Sequence, residues 1–155
     1  MEYNEDLEYK DKLLSNIEKL EKTTKMFLDL PNDLKLPNGW GKRELAIHLF
    51  SWDSAMVEYA DHLRQGNTFV WNEFLPEELN LDEVNKRYLV ENEDLTLDEA
   101  LEIFTNTRLE LIATYVDIVN NHFQEEKSFT DYFTMWMHDV QHLKQAGINT
   151  KKLEK

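Results

Sequence analysis

The residues with the greatest capacity for chemistry are two histidines near the end of the chain, in Trp136-Met137-His138-Asp139-Val140-Gln141-His142. On a helix, side chains four residues apart stand about 40° apart around the axis and one turn along it. Two imidazoles in that register can close on one ion, and neutral imidazole is a good ligand for zinc, nickel, copper or iron. The same spacing also arises by chance, so the pair alone does not make a site. Three further histidines are present, His48, His62 and His122. His48 stands beside the seam Leu45-Leu49-Trp52, about 65° from its centre, on the border from which a side chain reaches inward near the end of a bundle. A core-edge histidine bonded to backbone is the alternative. His62, further along the same side, and His122, at the solvated end of the third helix, read as bystanders. Asp139 reads as a solvated helix acid, with the orienting of an imidazole as the alternative. There is no cysteine, so thiolate ligands, disulfides and a thiol nucleophile are excluded, and any thiol chemistry must bring the thiol as a small molecule.

Four segments with helical periodicity must position these groups. The first runs from about Asp6 to Leu28, with Leu13, Leu14, Ile17, Leu20 and Phe27 at three- and four-residue spacing, and Pro31 stops it. The second starts near Gly41 and ends at Gly66, with Leu45, Leu49, Trp52, Met56, Tyr59 and Leu63 as its seam and Glu44 in its first turn. Residues 67 to 95 form a long connection whose Trp71, Phe74, Leu75 and Pro76 suit an ordered cover, and in which Asp82 to Asn92 can add a short helix. The third helix opens on the capping box Thr96-Leu97-Asp98-Glu99 and carries Leu101, Phe104, Leu111, Tyr115 and Ile118. The fourth runs from about Ser128 to Ala146 and stops at Gly147. Its strongest apolar stripe is Tyr132, Phe133, Trp136, Val140 and Leu143, and the two histidines point roughly 200° away from that stripe. Either the histidines face water or this helix is covered on two sides, and the second case points to a homodimer. The architecture expected is all-α: a single domain over residues 1–155, an antiparallel or up-down-down-up four-helix bundle with a long crossover between the second and third helices.

Composition sets further bounds. A 155-residue chain with 41% apolar residues is enough for one real core. The net charge of −14 argues against nucleic acid and against anionic membranes, both of which need a basic face. No stretch approaches the ~18 apolar residues of a membrane span. The acidic start, Met1-Glu2-Tyr3-Asn4-Glu5-Asp6, is unlike a signal peptide. Together these favour the cytoplasm.

Two segments resemble the DinB-like superfamily, which includes bacillithiol and mycothiol S-transferase-like proteins. Trp40-Gly41-Lys42-Arg43-Glu44-Leu45-Ala46-Ile47-His48-Leu49 is similar to that family's opening of the second helix. His138-Asp139-Val140-Gln141-His142-Leu143-Lys144-Gln145 is similar to its fourth-helix His-x-x-x-His-x-x-Gln. The separation of the two and the helix order match as well, so the resemblance spans nearly the whole chain. One departure is Gly41, where many relatives carry Ser or Thr. The resemblance implies a divalent metal, zinc, nickel or iron, held by His48, His138 and His142, with water or substrate completing the coordination. It also implies a low-molecular-weight thiol co-substrate, or water, activated to attack an electrophilic small molecule, as in a thiol S-transferase or a hydrolase. Trp52, Tyr59 and Trp71 are candidates to line the pocket, with core packing as the alternative. The competing reading is a non-catalytic bundle, a ligand-binding or stress-response protein without metal.

Overall fold

The computed structural model describes residues 2–65, 80–121 and 134–154. They form α1 (Glu2–Leu28), α2 (Lys42–Arg64), α3 (Leu81–Glu91), α4 (Leu97–Asn121) and α5 (Met135–Gln145). Among the described residues the fold is all-helical, with one isolated antiparallel bridge, Lys35 with Gly41, in the loop after α1. The expected short helix in the connection is α3, which makes five helices in the described part rather than four. Trp71, Phe74, Leu75, Pro76, Gly66, His122, Tyr132, Phe133 and the expected fourth-helix start at Ser128 lie outside the described residues. No helix among the described residues is long and apolar enough to cross a membrane.

The helix ends follow local chemistry. Lys42, buried at the start of α2, donates to the carbonyls of Leu28 at 2.8 Å and Leu30 at 2.6 Å. A cation thus caps the C-terminal end of α1, where the dipole favours it. The Gly41 amide donates to Glu44 Oε1 at 3.1 Å, which is half of a capping box. A Cβ at position 41 would meet the Leu34 carbonyl oxygen at 3.3 Å, so a Ser or Thr cap would press on the preceding loop. At α4 the box is complete: Glu99 N–H donates to Thr96 Oγ1 at 3.1 Å and Thr96 N–H to Glu99 Oε1 at 3.0 Å. Beyond α5, Gly147 sits at φ 83°, its N–H on the Lys144 carbonyl and the Ile148 N–H on the Leu143 carbonyl. Those paired bonds are a Schellman motif, which favours glycine because of its positive φ. The Arg43 guanidinium gathers the carbonyls of Asn92, Glu93 and Leu95, tying the end of α3 to the start of α2.

α2 packs along α4, α1 along both α4 and α5, and α3 lies on α2. The buried apolar residues fall into two clusters. α1 contributes Leu13, Ile17 and Leu20 to the first and Phe27 to the second, and α5 gives Trp136 and Val140 to the first and Leu143 to the second. α2 and α4 pass through them in the reverse order, Leu45 and Leu49 before Met56 and Tyr59, Phe104 before Leu111 and Tyr115. Leu14, counted in the first seam, is 47% exposed.

At the junction of the clusters each of these four helices carries a buried polar residue: Thr23, Asp53, Arg108 and Asp139. Arg108 Nε donates to Asp53 Oδ2 at 2.8 Å, and Nη2 reaches Asp53 Oδ1 at 3.3 Å. Nη1 and Nη2 donate to the two oxygens of Asp139 at 2.6 and 3.0 Å, and Nη1 also donates to Thr24 Oγ1 at 3.0 Å. These contacts use all five N–H groups of the guanidinium. Thr23 Oγ1 adds a 2.6 Å contact to Asp139 Oδ2. Asp139 is therefore not the solvated acid its sequence position suggests. It is 2% exposed and central to the core, because the buried arc of α5 is about 200° wide and runs from Trp136 and Val140 through Asp139 to the two histidines.

Removing one member of a buried ion cluster leaves the others uncompensated. Arg108→Met is expected to lower stability by about 3–5 kcal/mol in urea unfolding. Glu18→Ala, which breaks the exposed Lys22–Glu18 pair, should change it by less than ~0.5 kcal/mol. Replacing Asp53, Arg108 and Asp139 together by apolar residues should cost less than Arg108→Met alone.

Candidate metal centre

His48 is carried by α2, about two turns from the helix start that Lys42, Arg43 and Glu44 secure. His138 and His142 are carried by α5, whose rotation is set by the bidentate Arg108–Asp139 pair between them. The result is a convergence across the two helices. His48 Nε2 lies 3.0 Å from His138 Nε2, and His138 Nε2 lies 3.2 Å from His142 Nε2. Ligand nitrogens of all three lie within 4.8 Å of one another. The flank of α5 that carries the histidines thus meets His48 of α2 in the same chain.

Metal–imidazole bonds of about 2.0–2.1 Å place ligand nitrogens about 3.3 Å apart at a tetrahedral angle and about 3.0 Å apart at a right angle. The His48–His138 and His138–His142 separations match that range, and His48 and His142 lie within 4.8 Å of each other. His142 Nδ1 pairs with Gln145 Oε1 at 3.1 Å, the outer partner that fixes a ligating imidazole with its Nε2 lone pair inward. The buried Nδ1 atoms of His48 and His138 have no hydrogen-bond partner among the described residues. The donor set therefore fits a divalent ion at Nε2, with outer support at one of three ligands. A 3.0 Å separation also suits an N–H···N bond between two imidazoles without metal.

Electrostatics keep the trio neutral. Burial, then the neighbouring His138 and His142, push His48 down to about 3, against a smaller opposing contribution from the Asn85 carboxamide. Burial and His142 push His138 down to about 4, against the pull of Asp139. His142 is lowered as well, chiefly by burial, with Gln145 and Asp139 opposing. Neutral imidazole is the ligating form. In the adjoining cluster burial pulls Arg108 down, but Asp139 and Asp53 together hold it above its ordinary value. Burial pushes Asp53 up to about 6 despite Arg108, consistent with its longer bonds to the shared guanidinium.

No protein-family model matches the chain, and no curated protein or solved structure matches it. The centre is described by its own geometry.

A cavity of about 430 Å³ opens beside His48 and His142, walled by Trp40, Asn38 and Gln145 on one side and by α3 residues Asp82, Asn85, Lys86 and Leu89 on the other. Of the aromatic residues expected to line a pocket, Tyr59 packs inside the first apolar cluster. Trp52 stands behind the α3 wall, its Nε1 donating to Asn85 Oδ1 at 2.9 Å and its ring edge-on to Tyr88. Trp40, whose ring lies 5.1 Å from that of His48, takes the place beside the site. His62 is half-buried on α2 and is not part of the trio.

The sign of the pH dependence follows from these shifts. The unfolded histidines bind protons below the ordinary value of 6.5, whereas folded His48 and His138 resist them down to about 3 and about 4. Their contribution to stability is present above 6.5 and is lost as pH falls toward 4. The metal-free protein should show a lower urea midpoint at about pH 5 than at about pH 7.5, and His138→Gln should flatten that slope.

Proposed function

We propose that this protein is a metal-dependent small-molecule enzyme of the DinB-like kind, a thiol S-transferase or a hydrolase, with His48, His138 and His142 as its metal ligands. The observation that carries the reading is the meeting of three neutral Nε2 atoms at 3.0 and 3.2 Å beside an open cavity. When bound, a divalent ion such as zinc, nickel or iron supplies Lewis acidity that lowers the pKa of a thiol or water sharing its coordination. The chain's own part is to gather three imidazoles within 4.8 Å of one another and to keep His142 in its Nδ1–H tautomer through Gln145. Trp40 and α3 form the walls between which the reacting partners would be held. With no cysteine in the chain, a thiol nucleophile comes from the co-substrate.

The proposed architecture is an up-down-down-up four-helix bundle of α1, α2, α4 and α5, with α3 laid over one edge. The order in which the helices pass through the two apolar clusters supports it: α1 and α5 one way, α2 and α4 the other. Two consecutive bundle helices that run the same way require the long crossover that holds α3.

A second reading rests on the hydrogen-bond distance between His48 and His138, which a metal-free ligand-binding bundle would also show. Metal content separates the two. Protein purified without a histidine tag should carry close to one equivalent of a divalent metal, and His48→Ala, His138→Ala and His142→Ala should each reduce it to trace. Gln145→Ala, which removes the partner of His142 Nδ1, should weaken metal affinity about 10–100-fold. Equal trace metal in the wild type and all variants defeats the metal reading. Turnover of a generic electrophile that requires an added thiol identifies the transferase, and thiol-independent turnover the hydrolase.

A further inference from the structure

We propose that the cavity beside the three histidines binds a small molecule with a single carboxylate on a short apolar body. The carboxylate would be held by the side-chain N–H groups of Asn38, Asn85 and Gln145 and by the Lys86 ammonium. The inference rests on the metal-centre reading for its view of this cavity as the place of reaction, and it adds the class of substrate.

A carboxamide presents one acceptor oxygen and one NH2 donor, and the ligand meets whichever the protein leaves over. Here the protein takes the oxygens. Asn38 Oδ1 accepts from the Trp40 backbone N–H at 3.0 Å, and Asn85 Oδ1 accepts from Trp52 Nε1–H at 2.9 Å. A backbone amide and an indole can only donate, so the orientation of both carboxamides is dictated by chemistry. Gln145 Oε1 is engaged by His142 Nδ1 at 3.1 Å, which must donate when Nε2 faces the shared point. Three carboxamides from three different segments of the chain therefore offer NH2 groups. Apart from the contact of the Asn85 carboxamide with the His48 ring, no described residue accepts from these groups or pairs with Lys86, whereas its neighbour Arg87 is paired with Glu91.

Asn38, Gln145 and Lys86 are exposed, so water serves these donors in the free protein, and an acceptor-rich, anionic ligand can take its place. Asp82, one turn before Lys86 on α3, is the one carboxylate at the cavity among the described residues, and its repulsion disfavours a multiply charged ligand. Trp40 and Leu89 supply apolar surface for the rest of the molecule. Within a chain of net charge −14, such a site selects its ligand by local donors against the overall field.

The test uses the full chain, metal-loaded and metal-free, with 4-fluorobenzoate and its neutral counterpart 4-fluorobenzamide followed by fluorine NMR. The acid is expected to bind about tenfold more tightly than the amide, Lys86→Gln should remove about that factor, and Lys86→Arg should retain it. The exposed position of Lys86 keeps these variants folded, and the same preference should persist, more weakly, in the metal-free protein. Equal affinity for acid and amide, an unchanged preference in Lys86→Gln, or no binding of either compound overturns the proposal. If metal binds and the preference is absent, this inference alone fails. If no metal binds but the preference survives, the metal-centre reading fails and the carboxylate site stands.

Discussion

One guanidinium organises this molecule. Arg108 spends every N–H it has on groups from three other helices, Asp53 of α2, Asp139 of α5 and Thr24 of α1. A cation buried to 1% exposure is tolerable only when each proton has a partner and the charge is matched. Because hydrogen bonds to charged groups are directional, they also choose among helix rotations that apolar packing alone would leave nearly equal in energy. The apolar clusters on either side supply the driving force, and the charged layer supplies the register.

That register reaches the histidines through α5. Asp139 is one residue from His138 and three from His142, so holding its carboxylate at the core presents both imidazoles along the flank that faces α2. The layer holds two carboxylates against one guanidinium, and the carboxylate nearer the histidines acts on them the more strongly: Asp139 opposes the lowering of both His138 and His142. A cation at the shared point would feel a favourable fixed field from beneath while its ligands remain neutral.

Much of the helix layout was legible in residue types. Thr96 and Glu99 marked the start of α4, Gly147 the end of α5, Pro31 the stop after α1, and residues 82–92 a short extra helix, because each acts through its own neighbours. The charged layer was not read, although it left a signal. Leu20-Thr23-Phe27, Leu49-Asp53-Met56, Phe104-Arg108-Leu111 and Trp136-Asp139-Leu143 all put a polar residue at a three/four-spaced core position. On any one helix that looks like a break in the seam, and only when four helices bring their breaks to one level do the charges cancel. The histidine pair was legible from its spacing and His48 from its place at the border of the α2 seam, while their union as one ligand set came only through a resemblance. Which atom of Asn38, Asn85 or Gln145 is already engaged depends on tertiary partners, and no spacing encodes it.

Two side chains of α2 hold the α3 wall of the cavity, Arg43 just past its end and Trp52 in the middle. A change in that wall must therefore be matched on α2: replacing Asn85 by a residue that cannot accept strands the Trp52 indole N–H, so the two positions are bound to vary together.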